Sequence, residues 1–308
     1  MRHPRGGRSA RPGAGHPPVA CDADHMKVAG QGELRLLEDI KEFLAAGAAA
    51  DDAAVIADAS GFVVASCDMF VEGVHFDLGW MGTEDVGWRS LALALGDLAA
   101  KGAEPAWALA SLAIPRRWNV EQLRNLYKGM RALGQQFHTS IVGGDMSSIE
   151  GPAVLSLTVA GRTTSMPLAR SQAQPGWSVA VTGPLGAAAL ALREHRAFRL
   201  VPLIEEGRRL NSLGLCCGDV SDGLVREMEK FAAMAGVGCV LQGADVPCAP
   251  GASLEDALTS GEEAELVCVG PQDVIEGAGL EEIGKLTDAG NVKVIGADLK
   301  TTGYDHFA

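Results

Sequence analysis

Apolar and polar positions along this chain switch between a helical period and a strand period. From Gln31 onward, Leu34, Leu37, Ile40 and Leu44 share one helical face, with Gly47 placed to cap its carboxyl end. Asp51 and Asp52 then open a short strand through Ile56, and Phe62-Val63-Val64-Ala65-Ser66-Cys67 is a run of strand formers that stops at Asp68. That stop puts Asp68 at a strand's carboxyl end, where open α/β sheets place their ligands. Thr83 stands where an N-cap belongs, and from there to Ala100 the pattern is apolar all round. Such a helix is buried on every side, so Asp97 inside it is anomalous. A lone buried carboxylate costs several kcal/mol unless a cation or a metal accompanies it.

The same alternation continues to the end. A strand is expected over 107–114, stopped by Pro115, and Asn119 with Gln122 has the spacing of a capping box before a helix bearing Leu123, Leu126, Met130 and Leu133. Next come a short run over 140–145, ending in Gly143-Gly144-Asp145, and a strand over 154–160. The polar stretch 162–177, with two prolines, reads as a domain boundary. Beyond it the pattern predicts strands over 178–182, 238–241, 265–269 and 292–295. It also predicts helices to about 198, over 204–211, from Leu224 to about 235, and over 253–258 and 274–283. Leu224, Met228 and Phe231 form the inward stripe of the third. Alternating strands and helices indicate an α/β chain.

Composition narrows the class. With 308 residues, 47% of them hydrophobic, the chain can bury a core of about two domains. The first 25 residues, rich in Arg, Gly and Pro, are expected to be a disordered leader, with Met26 as a possible true start. Residues 26–162 and 163–308 are then the two domains. The net charge is −13, and the leader is positive, so the body is more acidic still. Such a body repels phosphate backbones and argues against nucleic acid. Seven cysteines show no zinc spacing and, within apolar runs as at Cys239 and Cys268, read as reduced buried thiols. No run nears the length of a membrane span, and the expected location is the cytoplasm.

Acids recur at or near the ends of apolar runs, at Asp51 and Asp52, Asp68, Asp145, and Asp219 and Asp222, and Asp97 joins them inside its helix. Each alone is an ordinary turn former or cap. Strands of one sheet bring their ends together, however, and carboxylates so gathered repel unless cations neutralise them. Hard divalent cations with oxygen ligands, Mg²⁺ above all, suit that setting and suggest phosphate chemistry. No P-loop, protein-kinase motif set or G-x-S-x-G is present, so those architectures do not apply. His75, taken alone, reads as a packed surface residue.

Taken together, Asp51-Asp52-Ala53-Ala54, Asp68 with the stretch from Val71 to Phe76, the stretch from Gly96 to Ala103, Gly143-Gly144-Asp145, the stretch from Val220 to Leu224 and the terminal Gly303-Tyr304-Asp305-His306-Phe307 resemble thiamine-monophosphate kinase. The resemblance runs from about residue 32 to 307. It implies a two-domain fold like aminoimidazole ribonucleotide synthetase, in which the N-terminal sheet forms a barrel across a homodimer and the C-terminal domain is mixed α/β. It implies direct in-line phosphoryl transfer from ATP to thiamine monophosphate with Mg²⁺. Carried over by motif, Asp51, Ser66, Cys67, Asp68, Asp97, Asp145, Asp219 and Asp222 are metal ligands. Gly144, Asp145, Arg170 and Ser221 bind ATP, and His75, Glu262 and Tyr304 hold the acceptor. No covalent nucleophile is expected. Cys67, Met146 and Ala264 depart from the family's pattern. They leave open a related ATP-dependent enzyme with another acceptor, or a catalytically impaired nucleotide-binding homologue.

Overall fold

The computed structural model describes residues 32–40, 51–288 and 290–307. The expected leader, Leu44 and Gly47 lie outside them. The elements in order are α1 (Glu33–Ile40), β1 (Ala54–Asp58), β2 (Gly61–Val71), α2 (Thr83–Ala100), β3 (Glu104–Pro115), α3 (Val120–Gln136), β4 (Ser140–Ile149) and β5 (Val154–Thr163). They continue with β6 (Ser178–Val181), α4 (Ala187–Arg193), α5 (Ile204–Ser212), β7 (Cys216–Asp219), α6 (Leu224–Ala235) and β8 (Gly238–Gln242). Last come α7 (Leu254–Thr259), β9 (Leu266–Gly270), α8 (Gln272–Gly277), β10 (Glu282–Thr287) and β11 (Val292–Ile295).

The strands form two mixed sheets, ordered β1-β2-β5-β3-β4 and β11-β8-β10-β6-β9-β7. In the first, alternation sorts the side chains strictly. Leu155, Leu157 and Val159 on β5 and Ala108, Ala110 and Leu112 on β3 are buried, while Ser156, Thr158 and Ser111 face outward. The buried face packs against α2, whose other sides reach Leu215, Cys217, Leu266 and Cys268 of the second unit in one continuous core. Being enclosed between the sheets explains why α2 is apolar all round. The outer face of the first sheet carries Met69 at 59% exposure, and no described residue covers it. The second sheet has its own core on the α6 side, built on Leu224, Met228 and Phe231 as their spacing predicted.

Several boundaries differ from expectation for local reasons. Thr83 is the first residue of α2 and does not cap it; Gly82 holds the cap position with no side-chain bond. The capping box at Asn119 and Gln122 is present. Strand β2 continues past Asp68, which pairs with Leu157, and β4 continues past Asp145, so neither acid ends its strand. Helix α4 stops at Arg193 because His195 adopts φ +48° and the Arg196 N–H returns to the Ala191 carbonyl. The expected helix over 274–283 is α8 followed by strand β10. Ile283 and Leu286 are three apart, a helical spacing, but a bulge between Glu282 and Gly284 lets both point inward from a strand. Cys239 and Cys268 are buried free thiols. No helix among the described residues is long and apolar enough to cross a membrane.

Helix α2 is positioned by its contact with α3. At Gly87 an added Cβ would lie 2.0 Å from the Leu126 carbonyl oxygen, and at Gly129 it would lie 1.9 Å from that of Glu84. Replacing Gly129 with Ala is expected to lower the unfolding free energy by about 1–3 kcal/mol through overpacking, as read by urea denaturation.

Candidate active site

The acids seen in the sequence converge from five places in the chain. Asp51 and Asp52 precede β1, Ser66 and Asp68 project from the inner face of β2, and Asp97 comes from α2. Asp219 ends β7, and Asp222 lies in the turn before α6. Oxygens of Asp52, Asp97 and Asp219 all lie within 4.8 Å of one another. The Ser66 hydroxyl donates to the Asp97 carboxylate. All of them line a cavity of about 1110 Å³ between the two sheets.

Three basic side chains neutralise part of this cluster. Lys101 lies against Asp51 and is 2.9 Å from Asp52. Arg170, from a short 3-10 turn, pairs with Asp52 and, at 2.7 Å, with the fully buried Glu227. Lys230 is 2.7 Å from Asp222 and 2.8 Å from Glu227. Burial alone would raise the Asp52 carboxyl, but the Arg170 and Lys101 charges outweigh it and hold it at about 2.

Among the described residues, no basic group pairs with Asp68, Asp97 or Asp219. Burial, then the Asp222 charge, pushes Asp68 up to about 6. Asp97 is driven well above the carboxylate range by burial and by Asp68 and Asp219. Asp219 rises likewise through burial and the charges of Asp52 and Glu227. Three buried, uncompensated carboxylates with only oxygen donors suit a hard divalent cation such as Mg²⁺.

Cys67 takes the opposite direction. Its thiol is on the outer face of the sheet, 3.4 Å from the hydroxyls of Ser156 and Thr158, so only its main chain is turned to the cavity. Asp145 lies on exposed edge strand β4, three strands from β2, in the outward row that runs through Met69, Ser156 and Ser111. Neither Asp145 nor Gly144 lines the cavity in this chain.

The far end of the cavity is aromatic. The His75 Nδ1 accepts from the Val71 N–H at 3.0 Å, and burial keeps the ring below its usual pKa, leaving a neutral imidazole with Nε2–H as donor. His75 packs on Phe70 and His306, and Tyr304 meets His306 edge-on. Trp80 stacks on His195 at 5.5 Å, joining the two halves of the chain. Glu262 adopts φ +58°, held by its N–H to the Ser221 carbonyl at 2.7 Å, and pairs with Arg89 of α2. Its neighbours serve the framework: Glu263 accepts from the N–H groups of Gly186 and Ala188, and Glu265 from the Thr182 hydroxyl.

Arg89, Lys101, Glu227 and Lys230 were not singled out in the sequence, and Asp52 was noted among the acids but not among the ligands. Glu227 could have been, because it falls on the inward stripe of Leu224, Met228 and Phe231. Arg89, within the all-apolar helix, and Lys101, just beyond its end, carried the same anomaly as Asp97.

Residues 50–163 match the family described as AIR synthase related protein, N-terminal domain. The thiamine-monophosphate kinase of Rhodopirellula baltica is 33% identical over 245 residues, spanning 72% of this chain and 76% of that protein. The chain belongs to the thiamine-monophosphate kinase family. The Methanopyrus kandleri thiamine-monophosphate kinase is 32% identical over 271 residues, or 80% of this chain and 84% of that one. Among solved structures, AaThiL complexed with AMPPCP and TMP matches with a TM-score of 0.81 at 28% identity, covering 90% of this chain and 97% of that one. The thiamine-monophosphate kinase likeness thus covers both sheets and the cavity between them.

The charge arrangement predicts an unusual pH dependence for the metal-free protein. An unfolded aspartate releases its proton near pH 4, whereas folded Asp68 holds it to about 6. Between those values the native state binds more protons than the unfolded state, so stability falls as pH rises. Asp52, held at about 2, titrates below this window. With EDTA present, urea unfolding is expected to show a loss of about 3 kcal/mol or more from pH 4 to 7. Saturating Mg²⁺ should flatten the profile.

Proposed function

We propose that the protein transfers the γ-phosphoryl group of ATP to the phosphate of thiamine monophosphate, giving thiamine diphosphate and ADP. The observation that carries this reading is that one cavity joins an uncompensated carboxylate cluster to an aromatic end bearing His75, Glu262 and Tyr304. The family relationship and the AMPPCP and TMP bound in AaThiL support both substrates. Asp97 and Asp219, with Asp52 within 4.8 Å of both and Asp68 beside them in the cavity, would hold Mg²⁺. That ion supplies charge neutralisation on the phosphate oxygens during transfer.

The chain's own groups position and orient. Arg170 and Ser221 are anchored through Glu227 at the nucleotide end. At the acceptor end, neutral His75 donates from Nε2, Glu262 offers a carboxylate fixed by Arg89, and Tyr304 supplies an aromatic face. Among the described residues of the cavity, Ser66 donates to Asp97, Ser221 to Glu227, and the Cys67 thiol faces away. In this reading the acceptor phosphate attacks the γ-phosphorus in line, with positioning as the protein's contribution. The direction of the Cys67 thiol also removes the main reason to read the chain as impaired.

In this reading, residues 26–162 form the nucleotide, metal and dimerisation domain, 163–308 complete the site, and the enzyme works in the cytoplasm. The uncovered outer face of the first sheet supports a homodimer in which two such faces meet. That assembly would also give Gly144 and Asp145, outside the cavity of the single chain, a place beside a partner's site. Met69→Glu on this face is expected to shift the protein from dimer to monomer in analytical ultracentrifugation.

The central test supplies purified protein with ATP, Mg²⁺ and thiamine monophosphate and follows thiamine diphosphate and ADP by chromatography. Both products are expected in equal amounts, and Asp68→Asn should lower turnover by about 100-fold or more. ADP formed only with another acceptor would refute the acceptor assignment, and near-normal activity of Asp68→Asn would refute the metal assignment.

A further inference from the structure

The three cations of the acid cluster differ in reach. The Lys101 side chain is 1% exposed and that of Arg170 2%, and each is committed to two carboxylates. The Lys230 side chain is 16% exposed, and it lines the cavity, whereas Lys101 does not. An ammonium carries three N–H donors. Among the described residues Lys230 uses two, to Asp222 at 2.7 Å and to Glu227 at 2.8 Å. Lys230 is thus the most exposed of these three cations and has a third donor beside the cavity.

Its anchoring gives it a defined place. Glu227 is fully buried and gathers Arg170, Lys230, the Ser221 hydroxyl at 3.2 Å and the Asp222 N–H at 3.4 Å around its two oxygens. Lys230 thus shares its anchor with Arg170 and Ser221, the two residues placed at the nucleotide end. A polyphosphate entering here meets Asp68, Asp97, Asp219 and Asp222, all of which repel it. A resident positive charge at the rim of that group offsets the repulsion where a phosphate oxygen would come within hydrogen-bond reach. Arg170 already neutralises Glu227 at 2.7 Å from a side chain only 2% exposed, so Lys230, at 16%, adds a positive charge that reaches further into the cavity.

We propose that Lys230 is a nucleotide-binding residue, donating its third N–H to a phosphate oxygen of ATP while Glu227 and Asp222 hold the ammonium in place. This rests on the reading of the cavity as an ATP site. The test uses full-length protein and the Lys230→Met and Lys230→Arg variants. Dissociation constants for a methylene analogue of ATP with Mg²⁺, and separately for thiamine monophosphate, are measured by calorimetry. Thermal unfolding of each variant is recorded alongside.

Lys230→Met is expected to weaken the analogue by about 10- to 100-fold, the range of a hydrogen bond to a charged group. Thiamine monophosphate should change by no more than about twofold. Lys230→Arg, which keeps the charge and donors, should restore the analogue to within about fivefold and fold like the wild type. Equal loss of both ligands in Lys230→Met would assign Lys230 a purely structural role, and so would an unchanged analogue affinity; either overturns the proposal. If Lys230→Met fails to fold, Lys230→Arg decides, because an arginine variant that folds but binds the analogue as poorly as unfolded controls overturns it. Failure of the wild-type protein itself to bind the analogue would refute the ATP reading, a result distinct from those that concern Lys230 alone.

Discussion

Burying like charges together is the constraint on which this structure depends. Asp51, Asp52, Asp68, Asp97, Asp219, Asp222 and Glu227 meet between two sheets, where burial weakens the screening by water. Lys101, Arg170 and Lys230 divide the group in two. Asp51, Asp52, Asp222 and Glu227 are held by basic partners and form a fixed lattice. Asp68, Asp97 and Asp219 have none among the described residues, and burial drives their carboxyls up. In the proposed function, the same imbalance suits the site to a hard cation that carries phosphate.

That arrangement needs a rigid support, and α2 provides it. The helix is enclosed by the inner face of the first sheet, by α3 at Gly87 and Gly129, and by the second unit. A polar side chain on a helix so tightly enclosed has no freedom to retreat to solvent. Asp97 and Arg89 are therefore fixed by packing of their apolar neighbours as much as by their own bonds.

Much of this was legible in the chain because it depends on local pattern. The all-apolar helix, the anomaly at Asp97, the capping box at Asn119 and the acids around β2 and β7 each announce themselves within a few residues. What escaped depends on strand pairing and faces. Asp145 and Asp68 look alike in sequence, yet one residue of alternation and three strands of separation put Asp145 on the open face. Cys67 stands next to a cavity aspartate and for the same reason points away from it. Strand β10 was hidden by a bulge that gives a strand the spacing of a helix. Lys101 was overlooked because Asp51 and Asp52 come from a remote part of the chain, and Glu227 because the Arg170 that completes its surroundings does.

The two ends of the cavity are linked through a single helix. Arg89, which fixes Glu262 at the aromatic end, and Asp97, in the carboxylate cluster, both belong to α2 and are eight residues apart. At 1.5 Å per residue, that is a span of about 12 Å along the axis. The helix is thus a measuring rod: the gap between the two ends is set by peptide geometry and not by a movable loop. In the proposed function, acceptors are thereby gauged by length as well as by chemistry, and tuning that gauge would require inserting or deleting helical residues, each of which would also rotate one end about 100° away from the other.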